Sequence, residues 1–539
     1  EAEEAEDDPQ QQRGGAQGAA TPPPSPNRTV YFEWDLATAK LSLLPDYQPP
    51  RKARWAAVSP DEKTIVFARG HNLFLMDADN YAKALKKDDD ATIVETQLTT
   101  DGEEHFSYAR RLREEEKAAY KFSDKNKTPR VPAITVFWSK DSKKFSVLRN
   151  DQPQADLEVF DIASKARVKI KEDRFPDQQV AVYTARVTNA ERDRARFIQV
   201  DRSGQEQDQQ QQGGSPQSTG VEPKWLADGS DKLYFNRTSR DLKKIDVCVA
   251  DTTTGEVKVL IEERLNTYVE IKPLVLVGNG QELIHWSERD GWGHYYLFNG
   301  DGTLKNQITS GEFYCDSIES VDEKTRTLYF NANGREAGED PYYLHTYSIN
   351  FNGSGIKLLN PGDASHAAAT SDSGKYFVNN SSRVNTAPES ILCDNLGNKV
   401  MELEKTDLTA MNEAGFKFPE PFKVKDIDRV GIYGHSGGGF MSTAAMLVYP
   451  DFFKVAVSSA GNHENNIYNR WWSEKHHGVK EVVDKDGNVK YEYTIERNSE
   501  LAKNLKGKLL LVTGDMDDNV HPANTLRVAD ALIKANKRF

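Results

Sequence analysis

RVGIYGHSGGGFMSTAAMLVY (429–449) sets a short apolar run, a serine bounded by glycines and a helical run in immediate succession. Within it, Gly434-His435-Ser436-Gly437-Gly438 has the form G-x-S-x-G. The pattern is steric in origin. A serine on a sharp turn from strand to helix exposes its hydroxyl only if the flanking backbones pass without side chains between them. The strand before it and the helix after it supply that context, so Ser436 is a candidate nucleophile. At the start of the helix, the Gly437 N–H is a candidate donor to an oxyanion.

Downstream the texture stays the same. KVAVSSAG (454–461) and KLLLVTGD (508–515) are further continuous apolar strands, and NTLRVADALIKAN (524–536) reads as a helix. Unbroken apolar strands alternating with helices predict a parallel sheet covered on both faces. In hydrolases built on such a turn, the triad acid and then the histidine follow the serine. Asp517 is the favoured acid, in the loop after the strand at 508–515, with Asp515 and Asp518 as local competitors. Only His521 follows it, four residues on in the same loop, whereas acid and base need separate loops to converge. His463, His476 and His477 precede the acid, out of order. The general-base histidine is therefore expected outside this chain.

Upstream, one turn recurs. Ser59-Pro60-Asp61-Glu62-Lys63 leads into TIVFA, and Ser139-Lys140-Asp141-Ser142-Lys143 into KFSVL. Further copies begin at Ala227, Val321 and Ser371, and a looser one at Gly278, each before an apolar strand. Turn chemistry joining short period-2 strands is a hairpin signal. From residue 226 the copies return every 43 to 51 residues, the length of a four-stranded propeller blade. The wider earlier intervals hold either two blades each or blades with insertions. Residues 1–26, and the tract SGQEQDQQQQGGSPQSTG at 203–220, are too poor in apolar side chains to order themselves. The predicted organisation is a low-complexity N-terminus (1–26), a β-propeller (27–420, with its loop at 203–220) and a catalytic region (421–539).

The chain has 539 residues, too many for one core, and a formal net charge of −13. That charge opposes binding to nucleic acid or an anionic membrane. No run of eighteen apolar residues predicts a membrane span, and the acidic opening Glu1–Asp8 does not read as a signal peptide. Cys248, Cys315 and Cys393 are odd in number and far apart, so they read as buried or free thiols. No metal cluster or nucleotide fingerprint appears, and no cofactor is expected.

GHSGGGF (434–440), DFFKVAVSSAGNH (451–463) and above all GDMDDNVHPANT (514–525) resemble the dipeptidyl peptidase IV branch of the prolyl oligopeptidase family. FWSKDSKKFSVLRND (137–151) and HWSERDGWGHYYLF (285–298) resemble its propeller blades, and the likeness runs over residues 27–539. It implies an N-terminal β-propeller capping a C-terminal α/β-hydrolase, with the active site in the cavity between them. It further implies a serine peptidase that removes dipeptides from a free N-terminus, often after proline. Carried over by position, Ser436 matches the nucleophile and Asp517 the triad acid. Asn519 matches the residue that binds a substrate carbonyl, and Tyr468, Trp472 and Val520 the walls of the proline pocket. Peptide substrates and a periplasmic or secreted location are implied in the same way, and a homodimer is left open.

The chain also departs from that pattern. Only five residues, 424–428, separate FPEPFK (418–423) from RVGIYG (429–434), too few for the first half of a hydrolase sheet. The catalytic region is therefore expected to be incomplete, with an abrupt join near Lys425-Asp426 and a similar one near Asp151-Gln152-Pro153. Glu114 and Glu115 are the nearest candidates for the acidic pair that grips the substrate ammonium. Two alternatives remain open: an acylaminoacyl-peptidase or oligopeptidase of the same chemistry, and a catalytically silent propeller that binds peptides or proteins.

Overall fold

The computed structural model describes residues 31–35, 40–44, 52–112, 116, 128–151, 154–185, 223–420 and 429–539. The domain edge expected at 26–27, the catalytic side of the edge expected at 420–421, the tract at 203–220, the join at Lys425-Asp426, and Glu114 and Glu115 lie outside the described residues. The chain forms two compact units. In the first, comprising residues 1–51 and 190–214, the described part is an antiparallel hairpin, Tyr31–Asp35 paired with Lys40–Leu44. Everything that follows belongs to the second.

Six antiparallel sheets follow one another along residues 57–405, each a meander of four strands. The first sheet also pairs a fifth strand, Arg130–Val131, with Thr64–Arg69. The six recurrent turns fall between the first and second strands of the six sheets. Their chemistry explains the recurrence. The Ser59 hydroxyl donates to Asp61 Oδ1 at 2.7 Å and accepts from the Thr64 N–H at 3.0 Å. Asp61 Oδ1 also accepts from the Lys63 N–H, and Glu62 takes φ 60°. Ser139, Asp141, Ser142 and Lys144 repeat the arrangement. Serine and aspartate thus satisfy the backbone of a turn too tight for a strand ladder. Each wide early interval holds one blade with an insertion. In the third sheet, the strand Gln179–Val182 is separated from its neighbour Lys232–Thr238 by some fifty residues. At the second expected join, Gln152 and Pro153 lie outside the described residues, and the strands on either side, Lys144–Asp151 and Gln154–Asp161, pair antiparallel.

Alternate side chains on each strand face opposite neighbours, so the cores lie in the seams between sheets. Leu233 and Phe235 pack against Leu157 and Val159 of the preceding sheet. Tyr234 between them packs against Leu283 and Phe298 of the next. The three cysteines are free thiols buried in these seams, and burial pushes Cys248 and Cys315 up to about 12.

The last region is a parallel sheet in the order Val430–His435, Phe453–Ser459, Lys508–Val512. The helices Gly437–Val448 and Ala523–Lys534 bury one face through Met446, Leu447, Ala456, Leu509, Val528 and Leu532. The sequence predicted cover on both faces; among the described residues there is cover on one. Period-2 alternation turns Tyr433, Val455, Leu510 and Val512 to the other face, where Tyr433 is 86% and Leu510 56% exposed. No helix among the described residues is long and apolar enough to cross a membrane.

Candidate active site

Ser436 joins the strand Val430–His435 to the helix Gly437–Val448 at φ 56° and ψ −119°. A β-carbon makes that conformation costly, on the order of 1–3 kcal/mol, so the surroundings must enforce it. They do so through the main chain. The Ser436 N–H donates to the Ser459 carbonyl at 2.8 Å, and the Ser436 carbonyl accepts from the Phe440 N–H at 3.0 Å. The glycines divide unequally. A β-carbon at Gly434 would lie 2.4 Å from the Gly438 carbonyl group, and one at Gly439 would lie 2.6 Å from the Ser459 oxygen. Gly438, the second glycine of G-x-S-x-G, has nothing within 4 Å of that position. Gly434 and Gly439 are therefore the two sterically obligatory positions.

The loop after Lys508–Val512 separates the three candidate acids. Asp515 and Asp518 are exposed, while Asp517 is half-buried. Asp517 Oδ1 accepts from the Asn519 N–H at 3.1 Å and the Val520 N–H at 2.8 Å. This turn buries Val520 and presents Asn519, whose Oδ1 accepts from the Tyr468 hydroxyl at 3.0 Å. Tyr468 meets Trp472 edge-on at 5.7 Å, and Trp472 in turn covers the elbow. A β-carbon at Gly437 would come within 2.9 Å of its indole. The structure thus brings together Tyr468, Trp472, Gly437, Asn519 and Val520 from three separate stretches of sequence. Burial raises the Tyr468 phenol, reinforced by the Asp517 charge and opposed by the hydrogen bond to Asn519.

The histidines of this region are engaged elsewhere, and among the described residues none hydrogen-bonds the Ser436 hydroxyl. His435 meets the Ser459 hydroxyl, and His521 Nδ1 accepts from the Ala523 N–H at the start of the last helix. His476 lies against Trp472, and His477 bonds Asn465. His463 is enclosed, with Nδ1 accepting from the Asn498 amide at 2.9 Å and Nε2 without a partner. Burial holds it neutral, at about 4. Beside Tyr468 and Asn519 opens a pocket of about 440 Å³, also lined by Ile467, Asn524 and Arg527.

With the strained serine, the acid turn and the blades in place, the comparisons are decisive. Residues 26–388 match the dipeptidyl peptidase IV (DPP IV) N-terminal region, and residues 419–539 match the prolyl oligopeptidase family. The chain belongs to the dipeptidyl peptidase IV branch of the prolyl oligopeptidase family. Dipeptidyl peptidase 8 of Mus musculus is 32% identical over 114 residues, 21% of this chain and 12% of that protein. Dipeptidyl peptidase 4 of Arthroderma otae is 24% identical over 424 residues, 57% of this chain and 54% of its own length. The chain thus spans about half the length of this fungal relative. The fold is similar to that of Porphyromonas gingivalis dipeptidyl peptidase 4, with a TM-score of 0.62 at 17% identity over 96% of this chain and 82% of that one.

Sequence reasoning missed one residue beside this candidate site. Ser239-Arg240-Asp241-Leu242-Lys243 is a further copy of the recurrent turn, set between the second and third strands of the third sheet. It repeats the serine–aspartate bonding, with Leu242 at φ 57°. The signal was its Ser-x-Asp-x-Lys pattern, which falls out of step with the blade period. Arg240 reaches the helix that carries Trp472.

Proposed function

We propose that this chain carries the nucleophile, acid and substrate pocket of a serine peptidase that releases N-terminal dipeptides through an acyl-enzyme. The observation that carries this reading is Ser436, held at φ 56° at the head of a helix, with the Asp517–Asn519–Tyr468 turn from the neighbouring loop. In the proposed reaction the Ser436 oxygen attacks the substrate carbonyl and its proton passes to an imidazole outside the described residues. Asp517 orients that imidazole. The Gly437 N–H, unpaired within its helix like every first-turn donor, faces the developing oxyanion. The proton then passes to the leaving amine, and water hydrolyses the ester. Asn519 takes the carbonyl of the residue before the cleaved one. Tyr468, Trp472 and Val520 enclose a flat apolar side chain such as proline, which needs no hydrogen bonds from its walls. Glu114 and Glu115 are proposed to hold the substrate ammonium; their neighbour Glu116 pairs with Arg110 at 3.1 Å.

Chromogenic dipeptidyl anilides ending in proline, with free and with acetylated N-termini, test the proposal on the full-length protein. The expected result is turnover of the free-amine substrate, abolished by Ser436→Ala. Turnover of the acetylated substrate alone would replace the reading with an acylaminoacyl-peptidase. No turnover of either would favour a propeller that binds its partners without cleaving them.

A further inference from the structure

We propose that Arg240 is a positioning residue through which the propeller sets the specificity pocket. Its guanidinium grips Glu474 with two parallel bonds, Nε to Oε2 at 3.0 Å and Nη2 to Oε1 at 2.6 Å. The remaining Nη1 donates to Asp177 at 2.7 Å. Tyr491 covers the guanidinium at 4.5 Å, and its hydroxyl donates to the Pro176 carbonyl at 3.0 Å. Both partners are almost fully enclosed, with side-chain exposures of 11% for Arg240 and 2% for Glu474. A second bridge, Lys244 to Glu481 at 3.1 Å, runs parallel to the first. Screened surface pairs hold little, but a bidentate, enclosed arginine–carboxylate pair fixes both distance and orientation.

What it fixes is a helix of two turns, Arg470–His477, whose Asn469 cap accepts from the Trp472 N–H. A segment that short has little helical stability of its own, so its seat depends on tertiary contacts. Trp472 lies two residues from Glu474 and overlies Gly437. The propeller thereby reaches the pocket wall through this ion pair and through Lys475 over the Tyr268 ring at 5.6 Å, and the wall reaches the elbow helix through the Trp472 indole and through His477 against Phe440. Loosening Arg240 should let Trp472 shift while leaving the Ser436 turn, which is held by Ser459 and Phe440, in place.

The role in specificity rests on the function proposed above; the mechanical coupling does not. The test therefore has two readouts on full-length Arg240→Gln, with Glu474→Gln as a second, milder variant. The first is hydrogen exchange at the Ser473 and Gly478 amides, which bond Asn469 and Glu474 carbonyls. Their protection should fall while that of Phe440 holds. The second is selectivity. For substrates cleaved after proline, kcat/KM should drop by about 10- to 100-fold, chiefly through KM, while those cleaved after alanine change little. Unchanged exchange in both variants would overturn the coupling. Loosened exchange with an unchanged proline-to-alanine ratio would overturn the positioning role. Failure of the wild type to cleave either substrate would count against the proposed function instead.

Discussion

The propeller and the hydrolase region use serine in opposite ways. In the propeller a serine is one of several equivalent turn-formers: Ser59, Ser139 and Ser239 each bind an aspartate two residues on and close the same loop. Each core seam is shared between two consecutive sheets and has counterparts along the series. In the hydrolase region nothing repeats. Ser436 is held by one main-chain bond from each side, Gly434 is pressed against the Gly438 backbone, and Gly439 against the Ser459 oxygen and Gly461. Repetition spreads stability over many interchangeable contacts, whereas a site concentrates its constraints on a few residues that nothing else can replace. A change in the first should be felt in its seam, and a change in the second at the elbow.

Truncating a seam gives the largest effect expected. Trp138 and Phe145 are buried between the first two sheets, so Trp138→Ala should destabilise by about 3–5 kcal/mol. Hydrogen exchange should rise in those two sheets and stay unchanged at the Phe440 amide. An equal rise at the elbow would break the distinction between the regions.

pH should pull the two regions in opposite directions. His463 is held at about 4 against an ordinary 6.5, so the unfolded chain takes up the proton first. Its contribution is complete above pH 6.5 and is lost as pH falls towards 4, by up to about 3 kcal/mol. In the propeller, burial raises Glu172 to about 7 from 4.5, so the folded chain binds that proton more tightly. Its contribution is complete below pH 4.5 and is lost as pH rises through 7. Melting at pH 5 and pH 7.5 separates them. His463→Gln should gain on the wild type at pH 5, and Glu172→Gln should gain at pH 7.5. Shifts of the same sign in both variants would refute the assignment.

The smallest test is a pair of alanines. Gly434→Ala should cost about 1–3 kcal/mol through collision with the Gly438 backbone. Gly438→Ala has space and a helical setting, and should be neutral or stabilising by about 0.5–1 kcal/mol. Thermal unfolding of the two variants measures the difference.

What was legible in the sequence follows the range of the forces involved. The turns at Ser59 and Ser139 are closed by residues two to five positions apart, so their pattern is visible in the chain. The elbow is legible because sterics demand glycine at Gly434. Spacing alone favoured Asp517 without separating it from Asp515 and Asp518, because the turn onto Asn519 and Val520 depends on which carboxylate faces inward. The first strand of the third sheet, Gln179–Val182, was hidden by the long span that separates it from Lys232–Thr238. The Arg240–Glu474 pair, 234 positions apart, has no local signature at all. That one face of the parallel sheet lacks cover among the described residues was likewise invisible in the strands themselves, since continuous apolar strands read as covered on both sides.

The central claim, that the constrained elbow carries the nucleophile, is tested most directly by reaction of the full-length protein with a small fluorophosphonate, followed by peptide mapping. The account predicts one adduct on the peptide that contains Ser436, absent in Ser436→Ala. An adduct on another serine, or equal labelling of the alanine variant, would contradict it.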